Sequence, residues 1–136
     1  MPERITPPFT EESARQVVQY AEDIWNARVA EVVSDDYTED TKWRYKDIFF
    51  EGRAGILPFL LERWPIQQDY RLRKEMWSFA GNRISVRFIS EWRHRDTGQW
   101  YRTFGNEHWE FAAEGLMSVQ DISANDLEIS ECERTL

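Results

Sequence analysis

Residues 82–111 read NRISVRFISEWRHRDTGQWYRTFGNEHWEF. Ile84, Val86, Phe88 and Trp92 fall on one parity and Ser85, Arg87, Glu91 and Arg93 on the other, the period of two expected of a strand whose faces meet different surroundings. Asp96, Thr97 and Gly98 separate this run from a second one, and a three-residue loop with Gly98 left-handed suits those residues. Such a loop sets Arg95 opposite Gln99, Arg87 opposite Glu107, Glu91 opposite Thr103 and Trp92 opposite Arg102. A two-residue turn would shift the count by one and bring His108 opposite Arg87. Cross-strand neighbours are close enough to pair. The segment is a long β-hairpin with one apolar face and one charged face.

Working outward, Thr10 has the form of an N-cap, with Glu11 and Glu12 in the first turn, where the helix dipole favours negative charge. Ala14, Val17, Val18, Ala21, Ile24 and Trp25 then recur at helical spacing to about Arg28. Val29 to Tyr37 reads as a short second helix, closed by Ser34, Asp35 and Asp36. Thr41 to Asp47 alternates Trp43 and Tyr45 with Lys42, Arg44 and Lys46, a short strand, and Ile48 to Phe50 runs on to Gly52. Ile56, Leu57, Phe59, Leu60, Leu61 and Trp64 give a third helix that Pro65 ends. It should start near residues 54–56, leaving Pro58 in its first turn, where no backbone donor is missed. Asp69 to Ala80, with Tyr70, Leu72, Met76, Trp77 and Phe79, leads through Gly81 and Asn82 into the hairpin. A last strand runs from Leu116 to about Ala124. Residues 1–9, with their prolines, form an extended arm, and residues 126–136 an acidic tail. Helices early and strands late indicate one α+β domain, a curved antiparallel sheet around the N-terminal helices, bending most easily at Gly105.

A length of 136 residues is enough for a core without staples. The single cysteine, Cys132, excludes an internal disulfide framework and fits a reducing, cytoplasmic setting. A formal charge of -8 opposes binding to nucleic acid and to anionic membranes, and no apolar run approaches a membrane span. Neither cysteine pairs nor histidine clusters occur at metal-ligand spacing, and no glycine-rich phosphate loop or dinucleotide fingerprint is present, so neither a metal nor a cofactor is expected. Seven Trp, eight Phe and five Tyr supply rings for a core and for the apolar walls of a ligand cavity.

Five stretches carry a family resemblance: PPFTEESA (7–14), WRYKDIFFEGRAGILPFL (43–60), MWSFAGNRISVRF (76–88), GQWYRTFGNEHWEF (98–111) and GLMSVQDISAND (115–126). With them the chain resembles the nuclear transport factor 2-like (SnoaL-like, cystatin-like α+β) superfamily from about Pro7 to Ile129, and within it a bacterial and fungal family of unknown function. The resemblance implies a sheet wrapped around helices as a cone whose pocket takes a small apolar or carbonyl-bearing molecule. Ketosteroid isomerase, scytalone dehydratase, limonene epoxide hydrolase and polyketide cyclases share that fold with many non-enzymes. The chain departs from its relatives at Tyr45, where Asn is frequent, at His108 in GNEHWEF, and at Ser118 to Gln120, where arginines are frequent.

The expected chemistry is cofactor-free proton transfer of isomerase, cyclase or dehydratase type. Arg87 would hold Glu107 ionised while Glu91, on the same face, is desolvated and titrates higher, giving an acid and a base. His108 is a second candidate base, and Tyr45 a donor to a developing oxyanion. Asp121 stands at about the depth where the resemblance implies a general base; otherwise it caps a strand end or pairs with Arg102. Trp43, Phe59, Trp64, Trp77 and Trp109 would wall the pocket, with Asn106 and Ser123 as polar lining. The alternative is a non-catalytic ligand-binding module whose ion pairs serve structure. On either reading, two copies would pair through the apolar sheet face of Ile84, Val86, Phe88 and Trp92.

Overall fold

The computed structural model describes residues 3–136, so Met1 and Pro2 of the expected arm lie outside the described residues. Helix α1 spans Glu11–Ala27 and starts as the sequence expects. The Thr10 hydroxyl accepts from the Ser13 backbone N–H (3.1 Å), and the Ser13 hydroxyl accepts from that of Thr10 (2.8 Å), so two otherwise orphaned donors are satisfied reciprocally. Helix α2 is short, Ala30–Ser34. Strands β1 (Tyr37–Tyr45) and β2 (Ile48–Glu51) follow, then a 3-10 turn at Arg53–Gly55 and helix α3, Ile56–Arg63. Pro58 lies in the first turn of α3, the position it can occupy without breaking a hydrogen bond.

Four long strands complete the chain: β3 (Gln67–Ala80), β4 (Arg83–His94), β5 (Trp100–Phe111) and β6 (Met117–Ile129). All six strands form one sheet in the order β2-β1-β6-β5-β4-β3, antiparallel except where β1 lies parallel to β6. The first part of the expected tail is therefore strand, with Asp126 opposite Thr103 and Leu127 opposite Arg102.

The hairpin register differs from the expected one. Arg87 faces Asn106, Glu91 faces Arg102, Trp92 faces Tyr101, and Ser85 faces His108. The last ladder bond runs from the His94 N–H to the Gln99 carbonyl (2.8 Å), leaving four residues in the loop. Arg95 is lost to the hairpin because its N–H donates to the Ile66 carbonyl at the start of β3 (2.9 Å).

Sidedness is the larger correction. Ile84, Val86, Phe88 and Trp92 are buried on the inner face, where Ile84 and Val86 pack in one core with Val18, Ala21 and Ile24 of α1 and with Ile56 and Leu60 of α3. The apolar stripes of the helices need an apolar partner, and this is the face that supplies it. It is closed to a second copy. Arg87 stands exposed on the outer face, its guanidinium 4.8 Å from the centre of the Trp77 ring.

Two local features shape the interior. Strand β3 is an edge, and α1 covers it: Asn26 donates to the Leu72 carbonyl and accepts from the Leu72 N–H (both 2.9 Å), while Glu22 accepts from the Lys74 N–H (2.7 Å). Side chains of the helix thus take the place of a missing neighbouring strand. Opposite Phe88, Gly105 leaves room for the ring to lie against its backbone; a Cβ there would stand 1.9 Å from a ring carbon. Gly105→Ala is expected to cost about 1–3 kcal/mol through forced movement of the Phe88 ring, read as a lowered urea midpoint.

Candidate active site

Between the inner face of the sheet, α1 and α3 lies a cavity of about 60 Å³. Trp25, Trp43, Phe59 and Trp64 wall it, with Trp25 stacked on Trp43 at 6.2 Å and Phe59 edge-on to Trp43 at 5.6 Å. On its half-buried side, Arg63 covers Tyr45 (4.4 Å) and Phe59 (5.2 Å), and Arg28 covers Tyr70 (4.3 Å). The Arg28 guanidinium also donates to the carbonyls of Trp64 (2.9 Å) and Gln67 (2.7 Å), fastening the end of α1 to the start of β3.

The ionic centre of this cavity is Lys74 with Glu107. Both side chains line it, only 5% and 1% exposed, and the ammonium donates to Glu107 Oε2. The second oxygen, Oε1, accepts from the indole N–H of Trp109 (3.0 Å). Around the ammonium stand the rings of Phe88 (5.3 Å), Trp109 (5.4 Å) and Trp25 (5.9 Å). A cation and an anion removed from water need each other and their hydrogen bonds to remain charged, and the ring faces add attraction for the cation.

Hydroxyl groups share the cavity with the pair. Ser90, Thr103, Tyr45 and Tyr70 all line the cavity. Burial pushes the Tyr70 hydroxyl well above a tyrosine's ordinary 10, which keeps it a proton donor. Thr103 accepts from the Trp92 indole N–H (3.0 Å) and donates to Asp126 (2.6 Å), which in turn binds Lys46 (2.9 Å). Among the described residues the buried indole N–H of Trp43 has no hydrogen-bond partner.

The expected site residues divide between the two faces. Glu107, Tyr45, Trp43, Phe59 and Trp64 line the cavity, and Trp109 holds Glu107 from beside it. Arg87, His108, Asp121, Asn106, Ser123 and Trp77 lie on the outer face instead, because their strand parity is that of the exposed side once the apolar residues turn inward. His108 meets Ser85 there, Nδ1 to Oγ at 2.9 Å. Asp121 pairs with Arg44 rather than Arg102, and Ser123 accepts from the same Arg44 (2.8 Å).

Glu91 also belongs to the outer face, yet it is buried. Arg102 (2.9 Å) and the backbone N–H groups of Thr135 (3.0 Å) and Leu136 (2.8 Å) all donate to it. Burial pushes its carboxyl up, but the bonds from Leu136, Arg102 and Thr135 together outweigh this and hold it below the ordinary 4.5.

Lys74 and Tyr70 escaped the sequence reading. Their signal is parity: Lys74 occupies the apolar alternation of Leu72 and Met76, as Glu107 occupies that of Trp109 and Phe111. Among the described residues no group of three or more His, Cys, Asp or Glu side chains is placed to hold a metal ion, and no helix is long and apolar enough to cross a membrane.

A family model described as "Protein of unknown function (DUF1348)" matches residues 7–136. No curated protein matches the chain. Among solved structures, SalBIII is described as an epoxide hydrolase/cyclase-like enzyme in pyran ring formation in polyether salinomycin. It is similar with a TM-score of 0.73 at 12% identity, over 85% of this chain and 92% of its own. An NTF2-like protein of unknown function from Burkholderia pseudomallei gives 0.73 at 16% identity, covering 82% and 90%. Another from Exiguobacterium gives 0.69 at 15%, covering 80% and 98%. At these identities the likeness establishes the nuclear transport factor 2-like fold alone.

Two outcomes follow from the geometry. Lys74→Met or Glu107→Leu alone should destabilise by about 3–5 kcal/mol, because each strands a buried charge, and the double variant should regain most of the loss in urea unfolding. For Glu91 the folded pKa is depressed, so its contribution to stability is complete above the unfolded value and is lost as pH falls through the folded one. Urea midpoints of Glu91→Gln should therefore lie below wild type at neutral pH and converge with it as pH falls through the folded value.

Proposed function

As the chain belongs to the DUF1348 family, whose description assigns no reaction, we propose from its site that it binds a small carbonyl compound and moves a proton at the carbon beside the carbonyl. The observation that carries this reading is the buried Lys74–Glu107 pair facing one apolar cavity. Glu107 is the base: a buried carboxylate paired with an ammonium that can itself give up a proton. The Lys74 ammonium and the Tyr45 and Tyr70 hydroxyls supply donors to the oxygen on which charge develops.

Size restricts the substrate. The cavity is well below the ~300 Å³ at which pockets for drug-sized ligands begin, so a compound of a few carbons fits the site as it stands. The reaction is of isomerase, cyclase or dehydratase type, in the form that takes a proton from the carbon beside a carbonyl and stabilises the carbonyl oxygen. SalBIII, described as cyclase-like, shares the fold and supports this class by analogy only. Neither a metal nor a cofactor is required for it.

Exchange of the methyl protons of acetone in deuterated buffer, followed by proton NMR, tests the reading. Wild-type protein should accelerate exchange saturably, and Glu107→Gln should lower the rate by about 100-fold or more. Exchange no faster than in buffer, or unchanged in Glu107→Gln, would leave the pair as an element of structure in a binding module.

A further inference from the structure

We propose that Lys74 is a nucleophile, and that its amine captures a short aldehyde or ketone as an iminium within the cavity. The inference deepens the proton-transfer reading above and rests on it for the substrate class. Three observations carry it. Among the chain's lysines, Lys42, Lys46 and Lys74, only Lys74 lines the cavity. Its one ionic partner, Glu107, can receive the ammonium proton. The aromatic cage of Phe88, Trp109 and Trp25 and the Glu107 carboxylate already surround a positive nitrogen, so an iminium at that nitrogen meets an environment built for its charge.

The step balances without a further reagent. Glu107 takes a proton from the Lys74 ammonium, and the free amine forms a bond to the carbonyl carbon as the carbon–oxygen π bond opens. Proton relay through Glu107 carries a hydrogen from nitrogen to oxygen, giving a neutral carbinolamine. Glu107 then protonates the hydroxyl, which leaves as water, and the nitrogen lone pair forms the carbon–nitrogen double bond. The result is a protonated iminium beside a restored carboxylate, with two hydrogens of the ammonium now in the water. Ser90, on the same cavity, offers a hydroxyl to the departing oxygen. Glu107 is then placed to take the adjacent carbon-bound proton, the iminium acting as the electron sink.

Reductive trapping decides the matter. The protein is incubated with propanal and cyanoborohydride under limiting conditions, and the propyl group is located by peptide mapping. Lys74 should carry the adduct about 10-fold or more ahead of the exposed Lys42 and the half-buried, Asp126-paired Lys46, and Glu107→Gln should slow labelling at Lys74 while leaving the other two unchanged. Lys74→Arg, which keeps the charge, should lose the adduct and retain the circular dichroism spectrum of the wild type. Labelling that simply follows exposure, with Lys74 unmodified, would overturn the proposal. Acetone exchange without an adduct would leave the proton-transfer reading standing and remove the covalent step; an adduct without exchange would do the opposite.

Discussion

Inside an apolar interior the ammonium of Lys74 meets the carboxylate of Glu107 across an intervening strand. Breaking such a pair is costly, whereas replacing it whole with apolar groups is often neutral, so the register of three strands is tied to it. Lys74 stands opposite Phe88, Phe88 opposite Gly105, and Glu107 opposite Val86 one row further along. The missing side chain at Gly105 lets Phe88 lie flat, and the Lys74 nitrogen stands within 5.3 Å of that ring. Helix α1 fixes the other end by taking the backbone N–H of Lys74 onto Glu22. A slip of one residue at either pairing would send one charge to the outer face and leave the other alone in the core.

Much of the architecture was legible in the residues. The Thr10 cap, the α1 stripe, Pro58 in the first turn of α3 and the long alternating strands each follow from local rules that tertiary packing did not override. What the alternation of residues 82–93 could not say was which side faces in. Period two sorts side chains into two sets and is silent on which set meets the helices. The expectation that Arg87 and Glu91 turn inward is reversed, because Ile84, Val86 and Phe88 of the other set are the ones that meet the helices. The better clue was the lone charged residue on an otherwise apolar parity, at Lys74 and again at Glu107. The loop length was beyond local reading for another reason. The N–H of Arg95 is taken by Ile66, a contact made by folding rather than by turn chemistry.

The fold narrows function without choosing it, since this scaffold carries unrelated activities in its relatives. Here the inner face is mostly occupied by rings, and the free space is small. On the proposed reading, that combination asks for a ligand of few atoms, with an apolar body and one polar end to meet the pair. A wider opening would require Arg63 and Arg28 to leave the rings they cover, and Arg28 is additionally bonded to two carbonyls.

The parallel placement of β1 beside β6 bears on how the chain is made. Strands β3 to β6 are joined hairpin to hairpin and can zip locally, but β1 is received by the last of them, with Lys42 beside Val119 and Tyr45 beside Ile122. That closure spans most of the polypeptide, and non-local pairing of this kind slows folding. On the ribosome, the sticky inner side of β1, with Tyr37 and Trp43, must wait uncovered until the final strand emerges. The segment most exposed to misassociation during synthesis is thus one that is buried in the finished protein.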